Sequence, residues 1–268
     1  MNKKIGFIGC GKMASAIISG IVKSNYLTKT NIFASEINQE KASAKEKELG
    51  IKIVTDNKEL VNLVDIVVIA TTPNFAEDVL NDIKSVITTE KLVVSIVAGV
   101  TTNFISSILG EDKRIVRVMP NTPALVLEGM SGVAGGKNAK EEDIEAVVEI
   151  LSNIGKAIKV SEEQIDIVTA ISGSGPAFYY KVINDIARAG EKLGLDYQKA
   201  LTLSIQTAIG SAKMLLSSDK SAEELISSVA TKGGCTRVGV DYLEDIDSAD
   251  IFYNLIEKTA EKAHALGK

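Results

Sequence analysis

The sequence predicts an α/β fold in which a doubly wound, mainly parallel sheet is followed by an all-helical region. Two patterns predict it. Up to residue 161, short apolar runs alternate with amphipathic stretches in the order strand, helix, strand, helix, and beyond Glu162 no strand pattern recurs. The strand-like runs are also continuously apolar, Val64-Asp65-Ile66-Val67-Val68-Ile69-Ala70 above all, as strands covered on both faces are. The expected domains are therefore 1–161 and 162–268.

The first element is Lys4-Ile5-Gly6-Phe7-Ile8, which stops at Gly9-Cys10-Gly11 and gives way to a helix over Met13 to Ser24. Gly9 would make the turn, and Gly11 would let a pyrophosphate approach the first helical amides, whose dipole favours an anion. Ala14 takes the third small position of G-x-G-x-x-A, and an ordinary turn is the competing reading. The second strand, Asn31 to Ser35, ends at Glu36. A carboxylate there accepts hydrogen bonds from adenosine ribose hydroxyls and repels a 2′-phosphate, unless Glu36 merely opens the helix Gln39 to Leu49. Ile51 to Val54 reads as a strand, Asn57 as the cap of a helix through Leu63, and Val64 to Ala70 as a buried strand.

Pro73 starts the next helix, Leu92 to Val97 is a strand before Ala98-Gly99, and Thr101 or Thr102 caps the helix after it. Ile115 to Val118 leads into the stiff turn Met119-Pro120-Asn121-Thr122-Pro123 at the ligand edge of the sheet. A strand near Gly132 to Ala134, a helix Glu141 to Ile154 and a strand Ala157 to Val160 end the alternation. Helices are then expected over 163–193, 197–216, 222–229, 236–243 and 249–266, with Ser172-Gly173-Ser174-Gly175-Pro176 permitting a kink or close packing. Their apolar content exceeds what one small helical layer hides on itself, so a second subunit is expected.

Composition narrows the partners. A net charge of −5 without basic clusters argues against nucleic acid and anionic membranes, and 45% apolar residues are ample for a core. Met1-Asn2-Lys3-Lys4 before the apolar run to Cys10 could pass for a lipoprotein export signal, but the run is too short and broken by Gly6, so a cytoplasmic protein is expected. Cys10 and Cys235 are far apart and His264 is single, in a helical pattern that leaves it solvated, so neither a zinc site nor histidine catalysis is expected. Lys232-Gly233-Gly234-Cys235-Thr236 stands between two helical patterns. Its amides suit a substrate carboxylate with the Thr236 hydroxyl beside it, the alternative being a simple pair of helix caps.

Taken together, Phe7 to Ala14, Asn57, Ala98-Gly99-Val100, Arg117 to Pro123, Ser172 to Ala177, Gln206-Thr207 with Met214-Leu215, and Gly233 to Thr236 ahead of Gly239 resemble the pyrroline-5-carboxylate reductase family over nearly the whole chain. The resemblance implies a Rossmann domain and a helical domain that interlocks with its twin in a homodimer, which can assemble further. It implies hydride transfer from NADPH or NADH to the C=N carbon of 1-pyrroline-5-carboxylate, giving L-proline. Cofactor contacts are implied at Ile8, Gly9, Cys10, Gly11, Lys12, Met13, Ser35, Glu36, Asn57, Ala70, Thr71, Thr72, Pro73, Ala98, Gly99, Met119 and Asn121. Substrate contacts are implied at Ser174, Gly233, Gly234, Cys235 and Thr236, with Thr236 catalytic through a hydrogen bond to the ring nitrogen.

The chain departs from the family at Thr71-Thr72-Pro73, where valine-lysine-proline is common, and at Lys232, where proline is common. Thr72 brings no charge to a cofactor phosphate, and Lys232 adds a cation near the substrate carboxylate while removing a rigid residue. Two other readings remain: a paralogue acting on another cyclic imine or on a 2-oxo or 3-hydroxy acid, where Lys181 could pose as the catalytic lysine of a 3-hydroxyacid dehydrogenase, and a dinucleotide-binding regulator without turnover.

Overall fold

A computed structural model of the protein describes residues 3–267, so Met1 and Asn2 of the export-signal reading, and Lys268, lie outside the described residues. The chain divides into two compact units, the first running through Ser174 and taking back the chain from Thr259, the second spanning Gly175–Lys258. The sheet itself ends at Lys159, which is the change in pattern visible near residue 161.

The first unit is built on an eight-stranded sheet in the order β3-β2-β1-β4-β5-β6-β7-β8. The strands are β1 Ile5–Ile8, β2 Ile32–Ser35, β3 Lys52–Val54, β4 Ile66–Ile69, β5 Leu92–Ser95, β6 Arg114–Met119, β7 Gly129–Gly135 and β8 Gly155–Lys159. Between them come α1 Lys12–Lys23, α2 Gln39–Leu49, α3 Asn57–Leu63, α4 Ala76–Ile83, α5 Thr102–Leu109 and α6 Glu141–Leu151. Order reverses between β1 and β4, both pairing in parallel with Ile5 opposite Ile32 on one side and Ile66 on the other. That reversal opens the crevice where doubly wound sheets hold ligands. β7 runs antiparallel to β6, with Met119 opposite Gly132, a reversal that the strand pattern alone does not reveal.

Alternate side chains of the central strands β1, β4, β5 and β6 enter separate cores. Phe7, Val68, Val94 and Val116 pack with Ile17, Ile18 and Ile21 of α1 and Ile150 and Leu151 of α6, while Ile8, Val67, Ile69 and Val93 meet Leu60 of α3, Leu80 of α4 and Ile105 of α5. Continuous apolar runs are the consequence of two covered faces. The helix starts follow from their caps. Thr101 Oγ1 accepts from the Phe104 amide at 3.1 Å, as expected, but α3 is capped by Asp56, whose carboxylate accepts from the Glu59 amide at 2.8 Å. Asn57 is the first helical residue instead of the cap, and its side chain is released for other partners.

The continuous helix expected over 163–193 is broken. After α7 Ile165–Val168 the backbone widens into a π turn over Thr169–Gly173, and α8 Gly175–Lys192 starts afresh. In the second unit α8 is followed by α9 Tyr197–Ser217, α10 Ala222–Val229 and α11 Cys235–Asp245, and α12 Ser248–Ala265 begins there. Among the described residues of α8 to α12, only Gly175, Ala187 and Ala200 are buried. Tyr179, Leu203, Leu216, Val238 and Phe252 are all exposed in the single chain. Among the described residues no helix is long and apolar enough to cross a membrane.

Candidate functional site

At the β1/β4 reversal an open groove of about 640 Å³ is lined by Ile8, Gly9, Cys10, Gly11, Ser35, Glu36, Asn57, Ala70, Thr71 and Thr72, all anticipated from sequence. Gly9 sits at φ 94, and a Cβ there would meet the Ala70 carbonyl oxygen at 2.8 Å. Both facts require glycine. Its amide still donates to the Ser35 carbonyl at 3.1 Å, so the turn leaves β1 without losing its tie to β2. Gly11 is the N-cap of α1, and nothing lies within 4 Å of where its Cβ would stand. The amides of Lys12 and Met13 in the first helical turn have no partner inside the helix, so an uncovered cap, an open approach and unspent donors meet at one point. This cradle, which a Cβ on Gly11 would fill, fits a dinucleotide pyrophosphate.

The β2 end of the groove is organised by a chain of hydrogen bonds. Ser35 Oγ donates to Asn57 Oδ1 at 2.7 Å, Asn57 Nδ2 donates to Asp82 Oδ2 at 3.2 Å, and Lys58 Nζ lies 3.3 Å from Asp82 Oδ1. Glu36 is half-buried at the end of β2, where Oε1 accepts from the Asn38 amide at 3.1 Å. The other carboxylate oxygen takes no part in that bond. Lys41, in the first turn of α2, lines the same groove, as do Phe75 and Asp82. Sequence reasoning missed these three. The one usable signal was position, since the first turn of a helix that follows the acidic β2 end faces the same ligand.

Cys10 lies among the core side chains of α1, and burial pushes its thiol up from the ordinary value. Pro73 opens a 3-10 turn after Thr72 and is exposed beside the groove without lining it. Ala98 and Gly99 follow β5, with Gly99 at φ 74 and its Cβ position 2.9 Å from the Leu266 carbonyl oxygen. Met119 ends β6, where the terminal methyl group stands 2.5 Å from the Cβ position of Gly173. Asn121 is buried, and each end of its amide makes one hydrogen bond to the protein's own backbone.

In the second unit Gly233 turns the chain at φ 79 and Gly234 caps α11 with no side-chain contribution. Thr236 is therefore the second residue of α11, with an exposed hydroxyl. Arg237 beside it is committed to Asp241 at 2.6 Å and Glu244 at 2.7 Å. Ser174 follows the π turn, and its hydroxyl takes no part in the hydrogen bonds that close the turn. Lys181, the residue that could pose as a hydroxyacid-dehydrogenase lysine, is exposed and paired with Asp185 one turn on. His264 is exposed but not merely solvated, because Nδ1 lies 3.0 Å from Asp166 Oδ2. Among the described residues no cluster of metal-ligating side chains occurs.

A doubly wound sheet with a glycine cradle at its switch point, an acid and a serine at the second strand end, and a helical second unit defines a dinucleotide-dependent oxidoreductase. Comparisons agree with that class and narrow it. Residues 4–99 match the family described as NADP oxidoreductase, coenzyme F420-dependent, and residues 162–266 match pyrroline-5-carboxylate reductase dimerisation. The chain is 42% identical to a pyrroline-5-carboxylate reductase of Methanosarcina acetivorans over 100% of its length and 99% of the relative. Its fold matches that of a pyrroline-5-carboxylate reductase from Coxiella burnetii with a TM-score of 0.96, at 31% identity and full coverage of both chains. A Plasmodium falciparum pyrroline carboxylate reductase solved with NADP bound matches with a TM-score of 0.87, at 35% identity over 100% of this chain and 99% of that one. The chain belongs to the pyrroline-5-carboxylate reductase family.

Proposed function

We propose that the protein reduces 1-pyrroline-5-carboxylate to L-proline with NADPH or NADH. The carrying observation is the end-to-end match to a reductase of that name. The bound dinucleotide supplies the hydride, which adds to the C=N carbon while the ring nitrogen gains a proton. Gly9 to Met13 hold the pyrophosphate, Ser35, Glu36 and Asn57 the adenosine end, and Ala70 to Pro73, Ala98, Gly99 and Met119 border the remainder. Amides of Gly233 to Thr236 cradle the substrate carboxylate, and Ser174 adds a hydroxyl. Thr236 Oγ1 donates to the ring nitrogen, where charge develops as hydride arrives, so its bond strengthens in the transition state. A histidine is not needed for such a reaction, because placement and polarisation carry it.

The working form is a homodimer. A second unit whose α8 to α12 bury only Gly175, Ala187 and Ala200 among the described residues gains its core from another copy, and the match to the dimerisation family supports this. The enzyme is assigned to the cytoplasm, in keeping with its two free cysteines. The decisive experiment mixes purified protein with NADH or NADPH and pyrroline-5-carboxylate. Oxidation of the dinucleotide with stoichiometric proline is expected. Binding of dinucleotide without turnover would favour the regulator, and reduction of a 2-oxo acid by NAD(P)H, or oxidation of a 3-hydroxy acid by NAD(P)+, with no reaction of pyrroline-5-carboxylate, would favour the paralogue.

A further inference from the structure

Asn121 stands at the end of β6, only 8% exposed, with its amide between two backbone groups. Nδ2 donates to the Ser172 carbonyl at 3.0 Å, and Oδ1 accepts from the Met130 amide at 2.9 Å. The two partners are of opposite kind, so the orientation of the amide is fixed. Turning it over would set acceptor against carbonyl and donor against N–H. Ser172 belongs to the π turn over Thr169–Gly173, whose wide ring is closed by the Ser174 amide donating to the Thr169 carbonyl at 2.8 Å. Ser172 Oγ and Thr169 Oγ1 are turned inward onto the Val168 and Ile165 carbonyls at 3.0 and 2.7 Å. Only the Ser174 hydroxyl is left over. On the other side of the turn, Met119 closes against Gly173, where a Cβ would stand 2.5 Å from its terminal methyl group.

A π turn is less stable than continuous helix, and it persists where surrounding contacts hold it. Here the contacts come from the carboxyl end of β6, a strand of the half-sheet whose ends face the reactive half of a dinucleotide in this topology. We infer that Asn121 is a positioning residue, which clamps the π turn to the sheet edge and so aims Ser174 at the substrate. This rests on the proposed reaction for its substrate. An aspartate cannot do the same work, because both of its oxygens accept. It keeps the bond from the Met130 amide and sets a carboxylate against the Ser172 carbonyl.

The test compares the parent with Asn121→Asp and Asn121→Leu. Loss of one buried hydrogen bond corresponds to about tenfold or more in an equilibrium it controls. In Asn121→Asp, kcat/KM for pyrroline-5-carboxylate should fall by about that factor with dinucleotide KM within about twofold, and amide exchange at Ser174 should accelerate while α1 amides keep their protection. Asn121→Leu, which loses both bonds, should add a fall in thermal midpoint. Parental kcat/KM and parental Ser174 exchange in a folded Asn121→Asp would overturn the clamp, as would equal losses for dinucleotide and imine that follow thermal stability. The exchange measurement needs no turnover. An inactive parent would therefore remove the proposed reaction, while parental Ser174 exchange in Asn121→Asp would separately remove the clamp.

Discussion

Gly11 caps α1 with empty space where a side chain would stand. A Cβ on Gly11 meets nothing within 4 Å, so Gly11→Val should still fold and should lose dinucleotide binding, as read by titration calorimetry. In the proposed reaction Thr236 makes the opposite kind of contribution, through an exposed hydroxyl at the start of α11. Thr236→Val is expected to lower kcat by about a hundredfold, the lower end for a proton donor, with a smaller rise in KM and unchanged cofactor affinity. Thr236→Ser should keep much of the activity in the same steady-state assay. Glu36 and Lys41 line the same groove with opposite charges. Removing the carboxylate in Glu36→Ser should shift the ratio of kcat/KM values toward NADPH by about tenfold, whereas Lys41→Ala should shift it toward NADH. Cys10 is buried and burial raises its thiol above the ordinary 9.0, so at pH 8 its thiolate is scarcer than that of a free cysteine. In the folded protein peptide mapping should find Cys10 unalkylated while Cys10 in denaturant reacts.

Elements are fixed by contacts that single residues permit. β8 joins the sheet where Gly155 lies opposite Gly129, at φ 142, and a Cβ on Gly155 would overlap the Gly129 backbone. No side-chain motion relieves a clash with backbone. Gly155→Ala should therefore destabilise the first unit by roughly 2–4 kcal/mol, combining strain and overpacking, measured as a lowered urea midpoint. The break at the π turn has a similar origin. A plain helix through Thr169–Gly173 satisfies periodicity, but the carbonyl of Ser172 is held by Asn121, a residue 51 positions earlier, and helical periodicity carries no information about such a partner. The cap of α3 is ambiguous in sequence for a local reason. Asp56 and Asn57 are both good caps, and only the pull of Ser35 and Asp82 on the Asn57 amide distinguishes them.

At the scale of the molecule the two units are stabilised in different ways. The first encloses two cores on either side of its sheet, while the second leaves Tyr179, Leu216 and Val238 open in the single chain. A helical unit without a core of its own is stable through association, so its thermal midpoint should rise with protein concentration. Light scattering should return about twice the 28.5 kDa of one chain or a multiple of that. A midpoint independent of concentration, with a monomer mass, would contradict the dimer. The end of the chain has a different attachment. From Thr259 it returns to the first unit, where His264 faces Asp166, and Asp166 lies 3.9 Å from Arg117, which pairs with Glu162 at 2.9 Å.

By itself the sequence determined the strand-helix alternation, the end of the sheet, the glycine cradle and the acid at the end of β2, because each is written in residues adjacent along the chain. It also carried the family, through motifs spread over both units. Tertiary structure alone decided the antiparallel sense of β7, the hydrogen bonds of Asn121 and the partner of His264. Each of those depends on which distant backbone or side chain occupies the other half of a hydrogen bond or ion pair. Local patterns of hydrophobicity specify faces and lengths of elements, but a polar side chain has the same periodic signature whether it meets solvent, ligand or a buried carbonyl.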